Sequence, residues 1–153
     1  MADYILAMTL KIAIASDHAG FAMKTAIKDA FPDLDWLDLG TNSESSVDYP
    51  DYGTKLAAAI AKGEVGKGVL VCGSGVGISI AANRNPAVRC VLCSDETTAR
   101  LSRQHNDANV IAFGGRLIGI ETAKACLNTF LSTAFDGGRH AGRVEKLSSC
   151  CQS

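Results

Sequence analysis

The segment Cys72-Gly73-Ser74-Gly75-Val76-Gly77 carries the densest potential for chemistry in the chain. Three glycines within five residues let the backbone turn sharply and bring bare N–H groups close to a ligand. Where such a turn opens a helix, those N–H groups form an electropositive nest suited to an anion. A thiol at the end of the preceding strand, facing the helix start, is expected to have a lowered pKa and to be partly thiolate. A cysteine that merely packs fits the same location equally well. Ser74 adds a hydroxyl within reach of whatever Cys72 reaches. The turn is not a nucleotide P-loop, because it lacks Gly-x-x-x-x-Gly-Lys-Ser/Thr, and its third glycine comes one residue early for Gly-x-Gly-x-x-Gly.

Three other groups deserve weighing. Asp17-His18 puts a carboxylate and an imidazole just after a short apolar run, although Asp17 reads as readily as a helix cap with His18 solvated beside it. His105-Asn106-Asp107 falls in a predicted loop, where a histidine alone reads as a surface residue. Arg139 and Arg143 stand four apart, so they share a helical face and could grip a phosphate together. Solvated arginines on a terminal helix are the common alternative. Reaching the glycine-rich turn would require a neighbouring subunit or a long path back. No His/Cys/Asp cluster has metal-ligand spacing along the sequence, so neither a metal nor another cofactor is expected.

The elements that must position these residues alternate between two periodicities. Apolar runs at 11–15, 34–39, 68–72, 88–93 and 110–113 read as five strands. Between them, helical spacing recurs: Met23, Ile27 and Ala30 up to Pro32, then Leu56, Ala57 and Ile60 up to Gly63. Ile78 to Ala82, a stretch capped by Asp95 and reaching about Gln104, and Ile120 to Ala134 continue the pattern, and a short charged helix carries Arg139, His140 and Arg143. Alternation of this kind predicts an α/β fold: three layers, Rossmann-like, with a mostly parallel five-stranded sheet and helices on both faces. Ligands in such sheets bind beyond the carboxyl ends of the strands, which selects loops 16–20, 40–49 and 73–77.

Composition narrows the function classes. A chain of 153 residues that is 47% hydrophobic and 20% charged is folded rather than disordered, and its length predicts one domain, 1–153. Within it, 1–10 form an N-terminal extension to which no role is assigned, and 139–153 a C-terminal helix and tail. Fifteen Lys+Arg against sixteen Asp+Glu leave no basic surplus for nucleic acid. The stretch Met1 to Met8 carries Asp3 and is too short for a signal or a membrane span, so no membrane partner is expected. The six cysteines, at 72, 90, 93, 126, 150 and 151, predict reduced thiols in a cytoplasm rather than a disulfide scaffold. Cys90 and Cys93 lie in an alternating run that places them on opposite faces.

Taken together, Ser16-Asp17-His18-Ala19-Gly20-Phe21, Asp48-Tyr49-Pro50, Cys72 to Asn83, Ser102 to Asp107 and Gly137-Gly138-Arg139-His140 resemble ribose-5-phosphate isomerase type B. That family also includes galactose-6-phosphate and allose-6-phosphate isomerases. The resemblance runs from about Lys11 to Leu147 and implies a metal-free aldose–ketose isomerase of the pentose phosphate pathway, exchanging D-ribose 5-phosphate and D-ribulose 5-phosphate through an enediolate. By motif position it implies Cys72 as the base, Asp17 and His105 as the groups that open the furanose ring, and Ser74 as the hydroxyl that moves protons between the sugar oxygens. It implies the N–H groups of Gly73, Gly75, Val76 and Gly77 as the anion hole, and Asn106 and Tyr49 as sugar-lining residues. His18, Arg139 and Arg143 match the phosphate clamp, with Arg116 and His140 as weaker members. The arginines are expected from the partner of a homodimer, or of a tetramer, with the active site shared between subunits and the C-terminal helix reaching across. Relatives without the cysteine use a glutamate where Ile78 stands here, so this chain falls in the cysteine subgroup. Alternatives are an isomerase of another aldose phosphate (allose 6-phosphate, galactose 6-phosphate or a tetrose phosphate) and a non-catalytic sugar-phosphate binding module.

Overall fold

The computed structural model describes residues 10–149. Over that span strands and helices alternate: β1 Lys11–Ser16, α1 Phe21–Ala30, β2 Asp35–Asp38, α2 Tyr49–Ala61, β3 Gly68–Cys72, α3 Val76–Asn83, β4 Cys90–Leu92, α4 Glu96–Asn106, β5 Val110–Gly114, α5 Ile120–Ser132 and α6 Arg139–Ser149. The strands form one sheet in the order β2-β1-β3-β5-β4, and every pairing is parallel. The predicted mostly parallel sheet is thus wholly parallel, because a helix follows each strand and carries the chain back to the end at which that strand began. At the outer edge β4 is shorter than its apolar run. It pairs only with β5, and Val88 is held instead in a turn by Asn85.

Period-two alternation sends successive side chains of the central strands into two cores. Ile12, Ile14, Val69, Val71, Ile111 and Phe113 face α1, α4 and α5, where Ile27, Ala99, Leu127 and Phe130 meet them. Ala13, Ala15, Leu70, Cys72, Val110 and Ala112 face α2 and α3 through Leu56, Ala57, Ile78 and Ala82. Strands buried on both sides in this way need continuous apolar runs, as β3 and β5 have. The last helix, α6, packs on α4 rather than on the sheet. Among the described residues no helix is long and apolar enough to cross a membrane.

Four thiols fall within the described residues and all are free. Cys93 belongs to the first core and Cys90 packs against the second, the opposite faces that alternation predicts. Burial pushes Cys90 and Cys126 up to about 12 and raises Cys93 as well, so these three stay protonated and act as small packing residues. Cys150 and Cys151 lie outside the described residues.

Among the described residues Asp17, Lys24 and Arg103 are buried, and Lys24 is the most enclosed of them. Lys24 of α1 is 1% exposed, and its ammonium donates to Asp38 Oδ1 at 2.7 Å and to the Thr41 carbonyl. Lys28 reaches the other oxygen of Asp38 at 2.9 Å, while the Gly40 N–H donates to Oδ1. Burial works against the Asp38 charge, yet the two ammonium groups and this N–H outweigh it and hold the carboxyl below its usual range. A depressed carboxylate stabilises the fold above its unfolded pKa, and that stabilisation is lost as pH falls through the folded value. Asp38→Asn should cost about 3 kcal/mol at neutral pH by stranding the Lys24 charge, whereas Lys24→Met should cost less because no buried charge is left behind. Urea melts across pH 7 to 3 check both: the gap between wild type and Asp38→Asn should narrow as wild-type Asp38 takes up its proton.

Candidate active site

Ser16 at the end of β1 lies beside Val71 near the end of β3. From there the chain leaves in opposite directions across the sheet, β1 leading out to β2 and β3 leading towards β5. Such a switch point is where open parallel sheets hold ligands. A hollow of about 550 Å³ opens there, lined by Asp17, Tyr49, Arg116 and the turn residues Cys72, Gly73, Ser74, Val76 and Gly77. The predicted first, second and third loops all contribute to it.

Cys72 is the last residue of β3. Its side chain is 3% exposed and packs partly in the second core, yet it borders the hollow. The Gly75 N–H donates to Sγ at 3.1 Å. Gly75 is also the cap of α3 and takes φ +79°, and a Cβ there would meet Leu92 at 2.7 Å and the Phe113 backbone at 2.8 Å. Both the conformation and the space exclude a side chain. The turn is stitched to the segment after β5, with Gly115 N–H donating to Cys72 O at 2.8 Å and Arg116 N–H to Gly73 O at 3.0 Å. Ser74 Oγ accepts from the Val76 N–H at 3.2 Å, so its hydroxyl also helps to start α3. The Tyr49 ring lies against Gly77, where a Cβ would stand 2.5 Å from Cε2 and Cζ.

Asp17 does not cap α1 itself: the cap residue is Gly20, and no side chain makes the cap hydrogen bond. Asp17 Oδ1 accepts from the Gly20 N–H at 3.0 Å, fixing the entry to α1, and it still borders the hollow. His18 is no solvated neighbour: its Nδ1 accepts from the Val47 N–H at 3.1 Å and ties down the loop that delivers Tyr49.

The remaining predicted residues gather elsewhere. His105, Asn106, His140 and Arg143 line a second hollow of about 320 Å³. His105 and Asn106 lie in the last turn of α4 and not in the predicted loop. The helix continues past Gln104 because Asp107 closes it at φ +46°, its carboxylate held by Arg103 at 2.8 Å and Arg89 at 3.6 Å. Arg103 also donates to the carbonyls of Ala108 and Thr133, which fastens this helix end to the chain leading into α6. His140 stacks on His105 with ring centroids 4.5 Å apart. Burial pushes the His140 pKa down, with the charges of His105, Arg139 and Arg143 adding to it and Asp136 opposing.

The two hollows share no lining residue. Asn109, just past α4, accepts from Gly68 N–H at the amino end of β3, whereas Cys72 ends that strand about 13 Å away at the parallel rise. Within one chain Asp17 and Arg116 therefore line one hollow, and His105 and Arg143 the other. The chain does gather a donor set that spacing along the sequence had not revealed, His105, Asp136 and His140, whose ligand atoms lie within 4.8 Å of one another. Arg103 and Asp107 were likewise missed as the parts that aim His105.

A family model described as Ribose/Galactose Isomerase matches residues 12–147, a span that includes both hollows. The chain belongs to this isomerase family. It is 47% identical over 141 residues to ribose-5-phosphate isomerase B of Escherichia coli (strain K12), covering 91% of this chain and 95% of that one. Among solved structures, ribose-5-phosphate isomerase B of Clostridium thermocellum superposes with a TM-score of 0.91 at 44% identity, over 94% of this isomerase and 98% of that chain. The Thermotoga maritima enzyme gives 0.90 at 49% identity, over 93% and 99%. The type B resemblance read from five separated motifs is therefore borne out.

Two glycine substitutions separate fold from site in this isomerase. Gly75→Ala should lower stability by about 2–4 kcal/mol, since strain and overpacking coincide there. Gly77→Ala should change it by less than about 1 kcal/mol, because the half-exposed Tyr49 ring can swing aside. Thermal melts and a crystal structure of Gly77→Ala, with Tyr49 displaced from the turn, check the pair.

Proposed function

We propose that this isomerase interconverts D-ribose 5-phosphate and D-ribulose 5-phosphate in a cytoplasmic pentose phosphate pathway, with Cys72 as the base. The observation that carries the reading is the Cys72 sulfur bordering a hollow whose adjacent wall is a helix-opening turn of main-chain N–H groups. In the open-chain aldose, the Cys72 thiolate removes the C2 proton. The electron pair becomes the C1=C2 bond, and the C1 carbonyl oxygen takes the negative charge. With the Gly75 N–H on Sγ and the Val76 N–H on Ser74 Oγ, the N–H groups of Gly73 and Gly77 are assigned to that developing charge, the kind of contribution that is largest in many such reactions. Ser74 passes a proton from O2 to O1, the thiol returns its proton to C1, and C2 becomes the ketone. The Gly75 N–H on Sγ suits this cycle because sulfur accepts it in either protonation state.

Ring opening needs one group to take the anomeric hydroxyl proton and another to protonate the ring oxygen as its bond to C1 breaks. We assign these to Asp17 and His105. Because they occupy separate hollows, His105 comes from a second copy of the chain, together with Asn106, Arg139, His140 and Arg143. Those arginines then complete a phosphate clamp with His18 and Arg116. An apolar surface supports the pairing of copies: Val76, Ile80, Leu92 and Leu117 are 44%, 56%, 43% and 70% exposed around the turn. Tyr49 and Asn106 line the sugar. On this reading the whole chain serves as one isomerase domain.

Conversion of ribose 5-phosphate to ribulose 5-phosphate by purified protein tests the reaction, with allose 6-phosphate and galactose 6-phosphate as comparison substrates. Cys72→Ala should reduce turnover by about a hundredfold to ten-thousandfold while sugar-phosphate binding persists. Full turnover in Cys72→Ala would remove the base assignment. Mixing Cys72→Ala with His105→Ala, after mild unfolding and refolding, should restore roughly a quarter of wild-type activity, since half of the dimers are mixed and each has one intact site. No recovery would place each site within a single chain.

A further inference from the structure

His105, Asp136 and His140 converge from three pieces of chain: the last turn of α4, the connection after α5, and the start of α6. Their backbones are fixed rather than merely adjacent. Asp136 N–H donates to the Gln104 carbonyl at 3.1 Å, His140 N–H to the Gly137 carbonyl at 3.0 Å, and Arg103 to the Thr133 carbonyl at 3.1 Å. The two imidazoles stack at 4.5 Å with 16° between their planes, and the carboxylate stands beside them.

We propose that this His–Asp–His set is an inhibitory site for a transition-metal dication of the zinc class, which on binding takes His105 away from the sugar. The binding stands on the donor set alone; the inhibition rests on the ring-opening role proposed for His105. Two imidazoles and one carboxylate, with a fourth position open, match the ligands that zinc takes. Magnesium and calcium favour all-oxygen sites and fit poorly. Zinc holds its ligands at about 2.0–2.2 Å, which in a tetrahedron sets them about 3.4 Å apart. From a span of at most 4.8 Å, the three ligand atoms close by side-chain rotation alone. Asp136 is exposed and free to swing. The imidazoles must tilt out of their stack, because parallel rings aim their lone pairs side by side rather than at one point. That rearrangement, together with the neighbouring charges of Arg139 and Arg143, makes the site one for an inhibitor ion and not for a resident cofactor.

The test uses the full chain, cleared of metal by a chelator that is then removed, with Cys150 and Cys151 changed to serine so that these thiols do not compete. Equilibrium dialysis against Zn²⁺ should find a single ion per chain that is lost in Asp136→Asn and in His140→Gln. Nitrogen-detected NMR should show the His105 and His140 rings shifting together on zinc addition. Asp136 takes no part in the proposed reaction, so Asp136→Asn should keep its zinc-free turnover while needing at least about tenfold more zinc for half inhibition. Equal zinc binding by wild type, Asp136→Asn and His140→Gln would overturn the proposal, as would ring signals unmoved by zinc. Were ribose 5-phosphate not turned over at all, the isomerase reading would fall separately, and dialysis and NMR would still decide the metal site.

Discussion

The turn from β3 into α3 has no spare room, and the rest of the site depends on that constraint. β3 is buried on both faces, so the chain must leave the sheet within a few residues or collide with the segment after β5. The left-handed Gly75 makes the exit, and Gly115 and Arg116 lock it by hydrogen bonds to Cys72 and Gly73. Cys72 is thereby held where a buried strand ends and α3 begins. A sulfur, a helix-opening turn whose Gly75 and Val76 N–H groups donate to Cys72 Sγ and Ser74 Oγ, and a hollow coincide because one tight turn produces all three.

The second feature that organises the molecule is the charged anchor under β2. Lys24 and Asp38 are inside because the loop after β2 must pass close to β1, where Ser16 and Gly40–Thr41 exchange backbone hydrogen bonds. A buried ion pair contributes little net stability, but it resists displacement because neither partner can leave alone without stranding the other. The loop continues to Val47, where His18 holds it, and delivers Tyr49 onto the turn. Position is conveyed from the anchor to Tyr49 at the rim of the hollow through backbone that is fastened at both ends.

Each chain presents two hollows of different character. The one at the carboxyl ends of β1 and β3 holds the sulfur and the anion nest; the one between α4 and α6 holds two stacked imidazoles beside two arginines. Neither contains a full set of groups for ring opening, proton transfer and phosphate binding. On the proposed pairing of two copies, the arginines of a helix packed on α4 join the same chemistry as Cys72. The division into two hollows also leaves His105 and His140 in a cluster with Asp136 whose ligand chemistry differs from that of the sugar.

Much of this was legible in the sequence. The alternation of apolar runs with helical periodicity determined the α/β layers, since strand burial and helix amphipathicity are local patterns. The glycine spacing determined the turn, because Gly75 occupies a conformation that other residues resist. The five separated motifs carried the family. What sequence order could not convey was distance between pieces. The end of α4 depends on Asp107, which Arg103 holds from one turn back and Arg89 from a separate part of the chain, and that second contact is not legible in local spacing, so His105 was read one element too late. Its separation from Asp17 follows from α4 running antiparallel to the strands, which delivers its last turn to their amino ends, whereas Asp17 follows the carboxyl end of β1. The convergence of Asp136 with two histidines likewise arises only when α6 folds back onto α4, because packing, not spacing, brings those ligand atoms together.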